Sequence, residues 1–217
     1  MFKQRILAQF SVRGDVRFVS HHDLMRVMGR AARRAGLPVS MSEGFNPRPR
    51  ISLLLARGVG VAGDGEYAEF DLSEWVAAGE FARRLNERLP DGVRVEQAEI
   101  AHPGVRHRVE GIDYRVDFRG ELPVTEADAR RLMDSREVIV ERERKKSSGP
   151  RETKRIDIRP LLRELRVSGR SVEMSLAVTE QGTTRVEEVW KALGLDEVAL
   201  LGGGAVTRTR MHVAPAR

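Results

Sequence analysis

The sequence predicts an α+β protein of two ferredoxin-like halves, each a βαββαβ unit with an antiparallel sheet and two covering helices. Three observations carry that expectation. Strand-like and helix-like segments alternate as β-α-β-β-α-β up to about residue 101, a similar order with one extra strand follows, and a glycine-bounded stretch from Gly104 to Gly111 separates them. At 217 residues the chain has room for two units of about 100 each. The expected division is 1–107 and 108–217.

Residues 4–13, QRILAQFSVR, alternate apolar and polar through Ile6, Ala8 and Phe10, as a half-buried strand does. Gly14-Asp15 reads as a turn, after which VRFVS extends or resumes the strand. Ser20 opens SHHD, a Ser-x-x-Asp capping pattern ahead of an apolar-periodic run. Leu24, Val27, Met28, Ala31 and Ala35 fall on one helical face, and Gly36 with Pro38 ends it. ISLLLARGVG and EYAEFDL read as two strands. A helix is expected from Trp75 through Phe81 and Leu85 to Leu89, followed by the strand VRVEQAEIA. In this fold the second sheet face is often open, and RNA-binding modules use it.

The second half repeats the pattern. YRVDFRG is a strand, and TEADARRLMDS a helix capped by Thr125 with Asp128 completing the box. EVIVERER, KRIDIRPLLREL and SVEMSLAVTE are strands, RVEEVWKALG a helix, and TRTRMHVA the closing strand. Residues 141–155, ERERKKSSGPRETKR, hold seven basic and three acidic residues around Ser-Ser-Gly-Pro and read as a mobile basic loop. LGGGAVTR reads as a glycine-rich turn.

Composition narrows the chemistry. The chain has no cysteine, which excludes disulfides, zinc–thiolate sites and a cysteine-held iron–sulfur cluster. A charge every few residues in MFKQRILAQFSVRGDVRF fits neither a signal peptide nor a membrane span, so a cytoplasmic protein is expected. The net charge is +6, and arginine is preferred over lysine, which suits phosphate and base stacking. His102 and His107 lack a carboxylate at metal-ligand spacing, there is no Walker loop, and no cofactor or metal is expected.

Two features of the first half point to a polyanion. Arg26, Arg30, Arg33 and Arg34 line the helix face opposite the apolar stripe, with no acidic residue from Leu24 to Ser42. The next loop, SEGFNPRPRIS, carries an aromatic and two guanidinium groups between two stiffening prolines. There Phe45 is suited to stack on an unpaired base, Asn46 to read a base edge, and Arg48 and Arg50 to reach phosphates. Ser20, His21, His22 and Asp23 do not read as a catalytic triad, because Ser20 and Asp23 are accounted for by capping. His21 is the candidate acid–base or hydrogen-bonding residue, its neutral form favoured by the positive end of the helix.

These residues resemble the radical-SAM-linked proteins, a bacterial domain of unknown function that occurs alone or fused behind a radical SAM enzyme. Arg17, Phe18, Ser20, His21, Asp23, Arg26, Gly44, Phe45, Asn46, Pro47 and Pro49 match its pattern position by position. His22 stands in place of Leu, Arg48 in place of the loop His, and Arg50 in place of Lys. The resemblance implies a link to RNA metabolism and to a radical SAM enzyme. That chemistry needs a cysteine-held cluster, which this chain lacks, so the implied role is accessory: binding or presenting RNA, tRNA or rRNA, to a separate enzyme. Two rivals remain: a metal-independent RNA-processing enzyme with His21 as base, and a docking module for an acidic protein.

Overall fold

A computed structural model describes residues 3–102, 104–122, 124–144, 152–195 and 204–216. The chain divides into two compact units, one running to Val109 and resuming at Thr207, the other spanning Glu110–Val206. The first contains β1 (Gln4–Val12), α1 (His21–Arg34), β2 (Ile51–Leu53), β3 (Ala62–Leu72), α2 (Ala78–Asn86) and β4 (Val93–Ala101). β1 pairs antiparallel with both β3 and β4, and β2 antiparallel with β3. The resulting order β4-β1-β3-β2 is the ferredoxin-like one.

The period-two pattern of β1 sends Ile6, Ala8, Phe10 and Val12 to one face, where Ala68, Phe70 and Leu72 of β3 join them. Leu24 and Met28 of α1 and Phe81 and Leu85 of α2 cover that face, each buried side chain contributing about 1.5–3 kcal/mol. The opposite face is not open at its centre. Arg5, Leu7, Ser11, Glu69 and Asp71 are all buried there, and residues 105–107 are bonded to Arg5 and Glu69.

Three local expectations fail for identifiable reasons. VRFVS does not continue the strand, because Gly14 takes φ +61° and starts a 3-10 turn over Gly14–Phe18. The strand begun at Ile51 stops at Leu53, since the carbonyls of Leu55 and Ala56 accept from the Arg208 side chain instead of a ladder. Trp75 lies before α2 and is 65% exposed. The Gln4 side-chain amide holds Val76 through both its N–H and C=O at 2.8 Å, so the helix starts only at Ala78.

The second unit contains β5 (His107–Phe118, from Glu110 on), α3 (Glu126–Asp134), β6 (Ile139–Arg144), β7 (Glu152–Asp157), β8 (Leu162–Ser168), β9 (Ser171–Thr179), β10 (Gly182–Thr183) and α4 (Val186–Ala192). β9 pairs antiparallel with β5, β8 and β10. Its core joins Val116, Leu132, Ile158, Leu176, Val189 and Trp190, with Phe118 stacked on Trp190 at 5.3 Å. Thr125 and Asp128 form the expected capping box. The segment expected as one strand over 154–165 is β7, a short 3-10 turn and β8.

The flanks of the expected 141–155 loop are ordered as the β6–β7 ladder, where Glu141 faces Arg155, and Arg142, opposite Lys154, pairs with Glu188 at 2.5 Å. Opposite charges at such cross-strand positions are favourable, so a basic composition does not by itself forbid a hairpin. Residues 145–151 lie outside the described residues, as do 201–203 of the glycine-rich stretch. The last strand is β11 (Gly204–Pro215), whose residues from Thr207 on fall in the first compact unit. Thr207 and Arg208 pair in parallel with Ala62 and Gly63 of β3, and Arg208 is fully buried against Glu66, so this segment packs with the first unit.

Candidate functional site

α1 begins where Ser20 accepts the Asp23 backbone N–H at 3.2 Å, while the Ser20 hydroxyl donates to the Asp23 carboxylate at 2.7 Å. It ends in a Schellman motif. Leu37 N–H bonds Ala32 O and Gly36 N–H bonds Arg33 O, both at 3.0 Å, with Gly36 at φ +61°. Between these caps Leu24, Met28, Ala31 and Ala32 are buried, which turns Arg26, Arg30, Arg33 and Arg34 to solvent. The four are not equivalent. Arg26 is paired with Asp23 at 2.8 Å, one turn earlier, and the Ser20 hydroxyl together with this bond holds the Asp23 carboxyl below its usual range. Arg30, Arg33 and Arg34 make no ion pair among the described residues.

The loop after α1 is closed at its base. Ser42 N–H bonds Arg48 O at 2.7 Å, Arg48 N–H bonds the Ser42 hydroxyl at 2.9 Å, and Arg50 N–H bonds Ser40 O at 2.8 Å. Pro49 sits on Gly29 of α1, where even a methyl group would come within 3.3 Å of the proline ring. Arg26 and Arg33 lie one turn to either side of Gly29, so the loop base stands beside the arginine face. From this base the tip projects Phe45 and Asn46, with Gly44 at φ +114° making the bend. Phe45 is fully exposed, and Arg48 is exposed next to it.

Arg50 does not join them. Ile51 faces the core and touches the Gly29 side of α1, so Arg50, one residue earlier, points to the helix-free face of the sheet. The loop's two arginines therefore serve different surfaces.

The residues near the helix start make a second cluster. Phe18 is 55% exposed, lies against Gly60 and carries the Arg17 guanidinium 4.8 Å from its ring centre. The Arg17 carbonyl accepts from Arg57 at 2.8 Å and from Gly60 N–H at 2.9 Å, which ties the motif to the 57–61 turn. The His21 and His22 rings meet edge to face at 5.6 Å. His21 Nδ1 is buried and makes no hydrogen bond among the described residues. Burial, then the nearby charges of His22 and Arg208, push its pKa below the ordinary value. A neutral imidazole at neutral pH is the form that accepts a proton or a hydrogen bond.

Sequence reasoning missed the buried ionic groups. Arg208 donates from Nε to Glu66 Oε1 at 2.7 Å and from Nη2 to Oε2. On the helix-free face Arg5 Nε donates to Asp71 Oδ1 at 2.7 Å and Nη1 to Val105 O at 3.0 Å, and Glu69 Oε1 accepts His107 N–H at 2.9 Å. One signal was available. In the β4-β1-β3-β2 order β1 and β3 are neighbours, so an arginine in QRILAQF and acids in EYAEFDL are natural partners. His107, considered in the sequence only with His102 as a metal ligand lacking a nearby carboxylate, has its Nδ1 2.9 Å from Glu69.

The profile of one protein family runs along residues 5–187, which includes both the helix motif and the loop. The chain belongs to the family described as uncharacterized protein conserved in bacteria (DUF2344). No curated protein matches this DUF2344 member. Among solved structures, a chain in the crystal structure of a Cbf5-Nop10-Gar1 complex is similar at 12% identity with a TM-score of 0.45. The match covers 95% of this chain and 48% of that one, so this chain spans about half its length. No helix among the described residues is long and apolar enough to cross a membrane.

Proposed function

We propose that this protein binds RNA through α1 and the 42–50 loop, as an accessory to a separate radical SAM enzyme. The observation that carries the reading is Phe45, a fully exposed aromatic on a braced loop beside three arginines without acidic partners. Exposing a phenylalanine forfeits its burial energy, and a base stacked on it restores contact worth about 1–3 kcal/mol. Arg30, Arg33, Arg34 and Arg48 supply the phosphate contacts and Asn46 the base-edge contact. tRNA and rRNA are the expected substrates, in the cytoplasm. The enzyme partner rests on the resemblance over residues 17–52.

His21 favours a second reading, in which the same surface cleaves RNA. Its Nδ1 makes no hydrogen bond among the described residues and its ring is held neutral, so it is able to accept a proton.

The test is a titration with total tRNA and with a short single-stranded RNA across a salt series, in wild type, Phe45→Ala and Arg30→Ala/Arg33→Ala/Arg34→Ala. Four contacts at roughly 0.7 per phosphate predict a log–log slope near −3 on the single strand, falling to about −1 in the triple variant. Phe45→Ala weakens binding about 5- to 150-fold without changing the slope. Cleavage products lost in His21→Ala would favour the enzyme reading. No binding at low salt overturns the RNA reading and leaves an acidic protein as the partner to seek.

A further inference from the structure

We propose that the cleft on the helix-free face of the first sheet, between Arg5, Arg50 and Arg106, binds a phosphate monoester. It is separate from the α1 face, because Arg50 and Ile51 point to opposite sides of the sheet.

Strand register builds the cleft. Asp71 N–H bonds Arg50 O at 3.1 Å, and Asp71 stands opposite Arg5 on β1, so Arg50, Asp71 and Arg5 form one row across three strands. Ser52, opposite Glu69, forms the next row on the same face. Arg106 closes the far wall, its backbone carbonyl fixed by Ala216 N–H at 2.6 Å. The space is about 240 Å³, too small for most drug-sized ligands and suited to one phosphate with part of its sugar.

The charges inside sort into spent and available. Both carboxylates are spent. Asp71 accepts from Arg5, while Glu69 accepts from His107 N–H and stands 3.8 Å from Arg5. Arg5 is itself satisfied by Asp71 and by Val105 O. Arg50 and Arg106 are exposed and make no ion pair among the described residues. Three guanidiniums against two carboxylates leave one net positive charge, carried by the two rim arginines. They come from separate segments whose backbones are both hydrogen-bonded in place, and such forks bind phosphate oxygens in charge-assisted pairs. A buried arginine–carboxylate network is often no more stable than an apolar replacement, so its presence under the rim is better explained by positioning than by stability. Cations are disfavoured here, since the carboxylates that would hold one are already engaged.

The phosphate can be that of a free nucleotide or the 5′ end of an RNA, and calorimetric titrations distinguish them. The probes are AMP, adenosine, and a decamer RNA with and without its 5′ phosphate. The proteins are wild type, Arg50→Ala, Arg106→Ala and the α1 triple variant. AMP is expected to bind at least tenfold more tightly than adenosine, and each rim substitution to remove about tenfold or more of that advantage. The rim arginines are exposed, so thermal melts of those variants should match wild type. A preference for the 5′-phosphorylated decamer assigns the site to RNA ends; a preference shown by AMP alone assigns it to nucleotides. The α1 variant leaves AMP binding unchanged, so failure of the RNA face does not affect this test. Equal binding of AMP and adenosine, or no effect of Arg106→Ala on AMP, overturns the proposal.

Discussion

Glu66→Gln should destabilise the first unit more than any other single polar substitution on the pairs described above. Arg208 is fully buried, and its guanidinium is held by Glu66 through Nε and Nη2 and by the carbonyls of Ala56 at 3.1 Å and Leu55 at 3.3 Å. Glutamine keeps the shape but removes the charge and turns an N–H₂ toward the guanidinium. Arginine cannot escape by losing its proton, because it stays charged in proteins. An uncompensated buried charge of this kind costs about 3–5 kcal/mol. For a unit of this size that corresponds to a fall in Tm of roughly 10–20 °C. Scanning calorimetry of wild type, Glu66→Gln, Arg208→Met and Glu66→Leu/Arg208→Met would measure it. The apolar pair should recover much of the loss, because it removes both desolvation costs together. A loss under about 1 kcal/mol for Glu66→Gln, the level of exposed pairs, would falsify the claim that this pair is dry and locks the last strand to β3.

Three further outcomes follow from local geometry. NMR titration should find His21 protonating below about 6.5. Its folded pKa is lowered, so the unfolded chain binds the proton first, and the stability held above 6.5 is lost as pH falls toward the folded value; a pKa at or above 6.5 contradicts the burial of its ring. Gly36→Ala forces a side chain into φ +61° and within 3.1 Å of the Arg84 guanidinium, so the urea midpoint should fall by the equivalent of about 1 kcal/mol or more. Burial pushes the Glu188 pKa up, but hydrogen bonds from Arg142, Arg185 N–H and Thr184 outweigh it and hold the carboxyl below its usual range. Its contribution is therefore present above about pH 4.3 and lost as pH falls through the folded value. Acid unfolding followed by Trp190 fluorescence should show that loss in wild type and a flatter profile in Glu188→Gln.

What was legible in the sequence was set within a few turns of chain. α1 shows its caps, its apolar stripe and its arginine face at 3.6-residue spacing, and all three appear in the structure. β4 is legible from the alternation of Val93–Val95, although a bulge opposite Gln9 and Phe10 shifts its pattern before Ala98. The buried charges were not legible, since a polar residue in a strand looks like a solvent-facing one until the partner strand is known. Arg5 meets Asp71 across 66 residues, and Arg208 meets Glu66 across 142. The second of these ties the last strand to β3 of the first unit.

Arg50 shows the same limit at short range and has the larger consequence for function. Proximity in SEGFNPRPRIS groups it with Arg48 and Phe45. The alternation that begins at Ile51 separates them, since burying Ile51 beside α1 obliges Arg50 to face Asp71, Arg5 and Arg106. One basic loop thus supplies two sites on opposite sides of a sheet. Arg48→Ala and Arg50→Ala, which look interchangeable in the sequence, should have separable effects: the first on RNA salt dependence, the second on AMP affinity. Identical effects of the two substitutions in both assays would contradict the register of β2 on β3.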